Sequence, residues 1–221
     1  MGAGLAPARA QGVDLLLVLA VDASGSVSTE RFELQKQGYA AAFRDRRVQQ
    51  AIAGGMQQRI GVAMVQWTGP RLQRLVVEWH LVDGSAAADA LAGRIEAAPR
   101  QLFSGGTSIS GLIDYALGLL DRAPWPTLRK VIDISGDGGN NSGRPVGPAR
   151  DDAVEAGVTI NGLPILNVEP YLAEHYRENV IGGPGAFMIA IDSYEQFADA
   201  IRRKLITEIS GLPAPPRLAA R

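Results

Sequence analysis

The chain has 221 residues, no cysteine, 46% apolar residues and a formal net charge of -1. This length and apolar share suffice for one domain with a sizeable core and lie outside the range of disordered chains. The lack of cysteine excludes disulfides and thiolate chemistry, and the balanced charge without a basic block argues against a nucleic-acid surface.

Residues 1–11, M-G-A-G-L-A-P-A-R-A-Q, stand apart from the rest of the chain. Ala8-Arg9-Ala10 has the small-x-small form of a secretory cleavage site, without the hydrophobic segment that normally precedes one. The expectation is a disordered remnant of a truncated export signal, with the domain periplasmic or secreted. A chance match and a cytoplasmic location stay open. Val13 to Val21 is then apolar except for Asp14, which predicts a buried parallel strand. Ser28 is a plausible cap for a helix running to about Ala51, ended by Gly54-Gly55. Arg59 to Trp67 is a second strand, and Thr68-Gly69-Pro70 turns the chain. Leu72 to Leu81 alternates polar and apolar residues, so it predicts an antiparallel edge strand.

An alanine-rich helix is predicted over 85–97, with Leu91 and Ile95 inward and Pro99 as its stop. A second helix is predicted over 108–120. Arg129 to Ser135 is a short strand containing V-I-D-I, with Asp133 read as structural, bonded to backbone or Lys130. Residues 136–147 form a polar glycine- and asparagine-rich loop, and 148–156 a short helix. Val158 to Leu166 reads as a strand interrupted by a turn at Asn161-Gly162. Residues 171–178 give a helical turn or two, 186–191 the last strand with Phe187 entering the core, and 194–209 the last helix. Trp125, between two prolines, reads as a packing plug at the end of the sheet opposite the carboxyl ends of the parallel strands. The alternation predicts an α/β fold: a doubly wound, mostly parallel sheet with one antiparallel edge strand and helices on both faces. One domain is expected over 12–210, with 211–221 as a loose tail.

Three loops stand out. V-D-A-S-G-S (Val21–Ser26) ends the first strand, G-G-T-S (Gly105–Ser108) precedes a helix, and G-D-G (Gly136–Gly138) succeeds a strand. Ligands of such sheets bind outside the carboxyl ends of the strands. The loops supply Asp22, Ser24, Ser26, Thr107 and Asp137, an all-oxygen set suited to a hard divalent cation. Alternate positions in an extended turn let Asp22, Ser24 and Ser26 face one centre, and two carboxylates match the ion's charge. A cation held mainly by neutral hydroxyls keeps much of its charge and attracts an incoming carboxylate. Thr68, Arg71, Asn140 and Asn141 lie near the same rim and are candidate partner contacts. Gly182-Gly183-Pro184-Gly185 lacks the lysine of a phosphate loop, so no nucleotide site is read there.

These motifs, in this order, resemble a von Willebrand factor type A domain over about residues 13–210. They resemble more closely a DUF1194-like bacterial family of that class, rich in exported proteins, for which His175–Phe187 looks like a hallmark. The Asp-x-Ser-x-Ser motif of the class is matched by Asp22, Ser24 and Ser26, its second-loop threonine by Thr107 and its third-loop aspartate by Asp137. The resemblance implies that these residues hold Mg²⁺ or Mn²⁺, and that a Glu or Asp of a protein partner completes the coordination. It implies binding rather than catalysis. The sequence itself argues against a nucleic-acid or nucleotide ligand, and no stretch is long and apolar enough for an integral membrane segment. Two alternatives remain. In one, the ion is structural and meets no external ligand. In the other, a metal-assisted hydrolase, only His80 and His175 offer imidazole bases, and neither belongs to the three loops.

Overall fold

The computed structural model describes residues 12–211; the expected remnant at 1–11 and all but the first residue of the expected tail lie outside them. The sheet has five strands in the order β3-β2-β1-β4-β5. They are β1 (Leu15–Asp22), β2 (Ile60–Trp67), β3 (Gln73–Val82), β4 (Lys130–Gly136) and β5 (Val158–Pro164). β1 pairs in parallel with both β2 and β4, β4 with β5 in parallel, and β3 alone runs antiparallel at the edge. This is the mostly parallel sheet expected from the alternation of elements.

The long apolar run of β1 has a direct cause: both of its faces are covered. Leu15, Leu17, Leu19 and Val21 join one core, and Leu16, Val18 and Ala20 join the other. The first core is closed by α1 (Thr29–Arg44), α2 (Arg46–Ala53), α3 (Ser85–Ala97) and α7 (Phe197–Ser210). The second is closed by α4 (Ile109–Asp121), α5 (Val146–Glu155) and the short α6 (Leu172–His175), which continues as a π turn over Tyr176–Val180. Leu91 and Ile95 point inward as expected, and Ser28 caps α1 by accepting from the Arg31 N–H. Trp125 packs against Leu16 and Gly61, away from the carboxyl ends of the strands.

Several local expectations are corrected. The single helix over 28–51 is two helices, because Asp45 is extended (ψ 128°) and its carboxylate accepts from the Arg47 N–H, capping α2. No turn interrupts β5 at Asn161-Gly162: the strand pairs with β4 throughout. Asn161 spends its amide on Glu208 Oε1 and the Phe187 N–H. Gly162 leaves room for Tyr176, whose ring would lie 2.5 Å from a Cβ placed there. The segment 186–191 is not a strand but touches the outer edge of β5 through isolated bridges at Met188 and Ile191. Phe187 is half-buried, over the Lys204 ammonium, rather than in the core.

Asp133 is structural but pairs with Lys204 rather than Lys130. Lys204 Nζ lies 2.7 Å from Asp133 Oδ1 and also bonds Glu208 Oε1. All three side chains are buried between β4 and α7. Burial pushes the Asp133 carboxyl up. It pushes Glu208 up to about 7, helped by the charge of Asp133 and opposed by that of Lys204.

Candidate functional site

The strand order reverses beside β1: the chain builds outward to β2 and β3, then returns to the other side for β4 and β5. Asp22 closes β1 and Asp137 comes directly after β4, so both stand at the switch-point crevice where such sheets bind ligands. The first loop is tightly organised. Asp22 Oδ1 accepts from the Ser24 N–H at 2.7 Å, turning the chain so that the Ser24 and Ser26 hydroxyls lie 3.2 Å apart. The Ser26 hydroxyl then donates to Asp137 Oδ1 at 2.6 Å, joining the first loop to the third across 111 residues of sequence.

The second loop is braced from the third. The Thr107 N–H donates to Asn141 Oδ1 at 2.8 Å, and the Asn141 and Ser142 N–H groups donate back to the Thr107 carbonyl. Thr107 Oγ1 would lie 3.3 Å from a Cβ at Gly138, so glycine keeps the third loop close to it. Ser108, not Thr107, caps α4 by accepting from the Gly111 N–H, which leaves the threonine hydroxyl free of that duty. Ser24, Ser26, Thr107 and Asp137 thus line one cavity of about 200 Å³, shared with Asn141, Val168 and Glu169. Asp22 lies beneath, fully buried.

Asp22 carries the clearest sign that something is owed to this place. Its Oδ2 is buried and has no hydrogen-bond partner. A Cβ at Gly136 would come within 2.9 Å of that oxygen, so Gly136 spares it a clash. Burial raises the Asp22 pKa to about 7; the Ser24 hydrogen bonds lower it, the charge of Asp137 raises it, and the backbone N–H of Asp137 lowers it slightly. A divalent cation would supply the missing positive charge, and two carboxylates with three hydroxyls suit a hard one. Among the described residues, no group of three or more His, Cys, Asp or Glu side chains gathers to hold a metal. A site here therefore depends on its hydroxyls.

The four candidate partner residues divide. Thr68 is fully buried under the second loop, its hydroxyl 3.0 Å from a Cβ at Gly105, so it offers no surface to a partner. Arg71 is exposed. Asn141 is exposed and lines the cavity while bracing Thr107. Asn140 is half-buried and ties the Ser110 N–H to the Arg144 carbonyl. Other participants lie outside the motifs. The Tyr194 hydroxyl donates to Asp137 Oδ2 at 3.0 Å. Arg100 clamps the first loop through the carbonyls of Ala23 at 3.1 Å and Val27 at 2.8 Å, and Gln35 donates to the Asp22 carbonyl. Of the residues outside the motifs, Glu169 had a legible signal, because its loop lies just past the carboxyl end of β5.

The fold is that of von Willebrand factor type A proteins. The chain belongs to the family described as "Protein of unknown function (DUF1194)", whose model matches residues 12–213. No curated protein matches it. Among solved structures it is similar to a von Willebrand factor type A protein of Catenulispora acidiphila, at 20% identity and TM-score 0.59, covering 90% of this chain and 43% of that one. It is also similar to proximal thread matrix protein 1 of the mussel byssus, in a form with a zinc-occupied MIDAS motif, at 17% identity and TM-score 0.59, covering 90% and 46%. The vWF domain of the type V pili tip protein Mfa5 of Porphyromonas gingivalis gives TM-score 0.60 at 11% identity, covering 94% and 99%. The chain thus spans less than half the length of the first two, and identities this low bear on the fold alone.

Proposed function

We propose that this domain is a protein-binding module that captures an acidic side chain of a partner through a divalent cation, Mg²⁺ or Mn²⁺, held at the rim of the sheet. The observation that carries the reading is the joining of the first and third loops by the 2.6 Å bond from Ser26 to Asp137, above the unpartnered Asp22 oxygen. Ser24, Ser26, Thr107 and Asp137 would hold the ion, with Asp22 acting directly or through water. When bound, the ion supplies a positive charge able to accept a carboxylate at an open position. The chain's own part is to fix the hydroxyls. Asp22 orients the Ser24 backbone, Asn141 fixes the Thr107 backbone, and Tyr194 holds the second Asp137 oxygen. The domain is read as binding rather than catalytic. His80 is occupied by the Ala87 carbonyl, and His175 stands beyond the third loop at the Asn140 N–H.

The adhesion context of similar folds, such as the pilus adhesin SpaC of Lactobacillus rhamnosus GG and the pili tip protein Mfa5, supports the same reading. The Ala8-Arg9-Ala10 sequence suggests that the domain works outside the cytoplasm, which fractionation of the native cells would test. Among the described residues, no helix is long and apolar enough to cross a membrane. The deciding experiment is calorimetric titration with Mg²⁺ and Mn²⁺, paired with capture of partners from native extract with Mg²⁺ or chelator. Uptake of one ion per chain, lost in Asp137→Ala, and partners released by chelator are expected. Well-folded protein that takes up neither ion would refute the reading.

A further inference from the structure

The cavity formed by the three loops has a fourth wall. It comes from the segment after β5, where Val168 and Glu169 face Ser24, Ser26, Thr107 and Asp137. Glu169 is exposed, and the hydrogen bond that holds its carboxylate is one from the Gly139 N–H to Oε2 at 3.0 Å. Its other oxygen lies 3.6 Å from where a Cβ at Gly138 would stand, and Thr107 Oγ1 lies 3.3 Å from the same point. The threonine hydroxyl and this carboxylate therefore both border the space that a side chain at position 138 would fill. Asp22, Asp137 and Glu169 do not form a three-carboxylate cluster as they stand. Glu169 is exposed and its carboxylate is held by an exposed hydrogen bond, so a change of rotamer on the cavity wall costs little.

We propose that Glu169 is an internal carboxylate ligand of this site: it takes the open position on the cation when no partner is present, and the partner's acid must displace it. This rests on the metal-binding reading of the three loops and deepens it. The electrostatic consequence is specific. A third carboxylate tightens the hold on the ion and lowers the residual charge that an outside carboxylate feels. Metal affinity and capture of a foreign acid then move in opposite directions when Glu169 is neutralised. A residue that merely braces the loop would not produce that pair of effects. A residue that merely adds negative charge nearby would move both in the same directions, but it would not change the number of waters on the ion, so that number is the deciding readout.

The test compares the full chain with Glu169→Gln, using Mn²⁺ as the probe metal and acetate as the probe acid. Because Glu169 is exposed, the variant should keep its fold, which circular dichroism checks. The variant should bind Mn²⁺ about tenfold more weakly, as fits one fewer charged ligand. Its bound Mn²⁺ should show a higher water-proton relaxation rate, since water replaces the lost ligand. Acetate should quench that gain at lower concentration than it affects the original chain. Equal affinity and equal relaxation in both proteins would overturn the role of Glu169 and leave the metal site standing. Weaker binding without the relaxation gain would mark Glu169 as a loop brace or a nearby charge that does not coordinate, and would also overturn it. A folded original chain that binds no Mn²⁺ would overturn both this proposal and the metal-binding reading.

Discussion

Lys204 sits between two carboxylates, Asp133 and Glu208, where water has no access. Removing one charge from such a group leaves another uncompensated, and that costs more than the group contributes when whole. Lys204→Met should therefore lower unfolding free energy by about 3–5 kcal/mol in chemical denaturation. A loss under about 1 kcal/mol would mean that the carboxylates were already neutral. The same trio predicts a pH dependence. The Glu208 carboxyl titrates at about 7 in the folded chain against an ordinary value of 4.5. The folded state therefore holds that proton more tightly than the unfolded state does. Stability is full below the ordinary carboxylate range and declines as pH rises from about 4.5 to about 7, by roughly 1–3 kcal/mol. Asp22 adds a slope of the same sign. The measurement is thus the difference between the original chain and Glu208→Gln, whose profile should be flatter over that interval. The residues of the site differ in how far the sequence revealed them. Asp22, Ser24 and Ser26 were legible because their geometry is local, a turn of alternating residues. Thr107 and Asp137 were legible through the order of the motifs. Tyr194 was not, because its bond to Asp137 depends on where α7 begins in space.

Elements meet here at close quarters, and glycines mark where. A Cβ at Gly38 on α1 would stand 2.6 Å from the Phe197 ring at the start of α7. Both residues are buried, and the ring also stacks edge-on against Tyr39 at 5.3 Å. Gly38→Ala gains about 1 kcal/mol of helix propensity but forces an overpacked contact costing about 1–3 kcal/mol. A net loss, read as a lower denaturation midpoint with unchanged slope, is expected. A stabilised variant would show that α7 can shift without cost. β1 and β2 were legible from their apolar runs, because a parallel strand covered on both faces carries few polar positions, whereas Asn161-Gly162 made the middle of β5 read as a turn. The break between α1 and α2 was not legible. Apolar spacing continues across Asp45, and its capping bond competes with helix continuation on equal local terms. Nor was the segment 186–191, whose apolar residues suit a strand. Asn161 binds the Phe187 N–H with its side chain, and the neighbouring backbone reaches β5 only at isolated bridges.

At the scale of the whole molecule, one ion would tie together segments that otherwise meet through few bonds. An ion that binds only the folded state raises stability by mass action. At a Mg²⁺ concentration about 100 times its Kd the gain is about 2.7 kcal/mol, and for a chain of this size that raises Tm by roughly 5–10 °C. The shift should vanish in Asp137→Ala and with chelator present. An equal shift in that variant would place the ion elsewhere. The sheet itself has two different borders. β3 closes one side with its register broken by irregularities between Val62 and Val65 on β2. On the other side, β5 is covered by the irregular backbone of 182–191, joined at Gly182, Met188 and Ile191. An irregular register on one border and a covering segment on the other are two devices that hinder foreign chains from adding themselves strand by strand. Both borders thereby discourage copies of the domain from joining along the backbone.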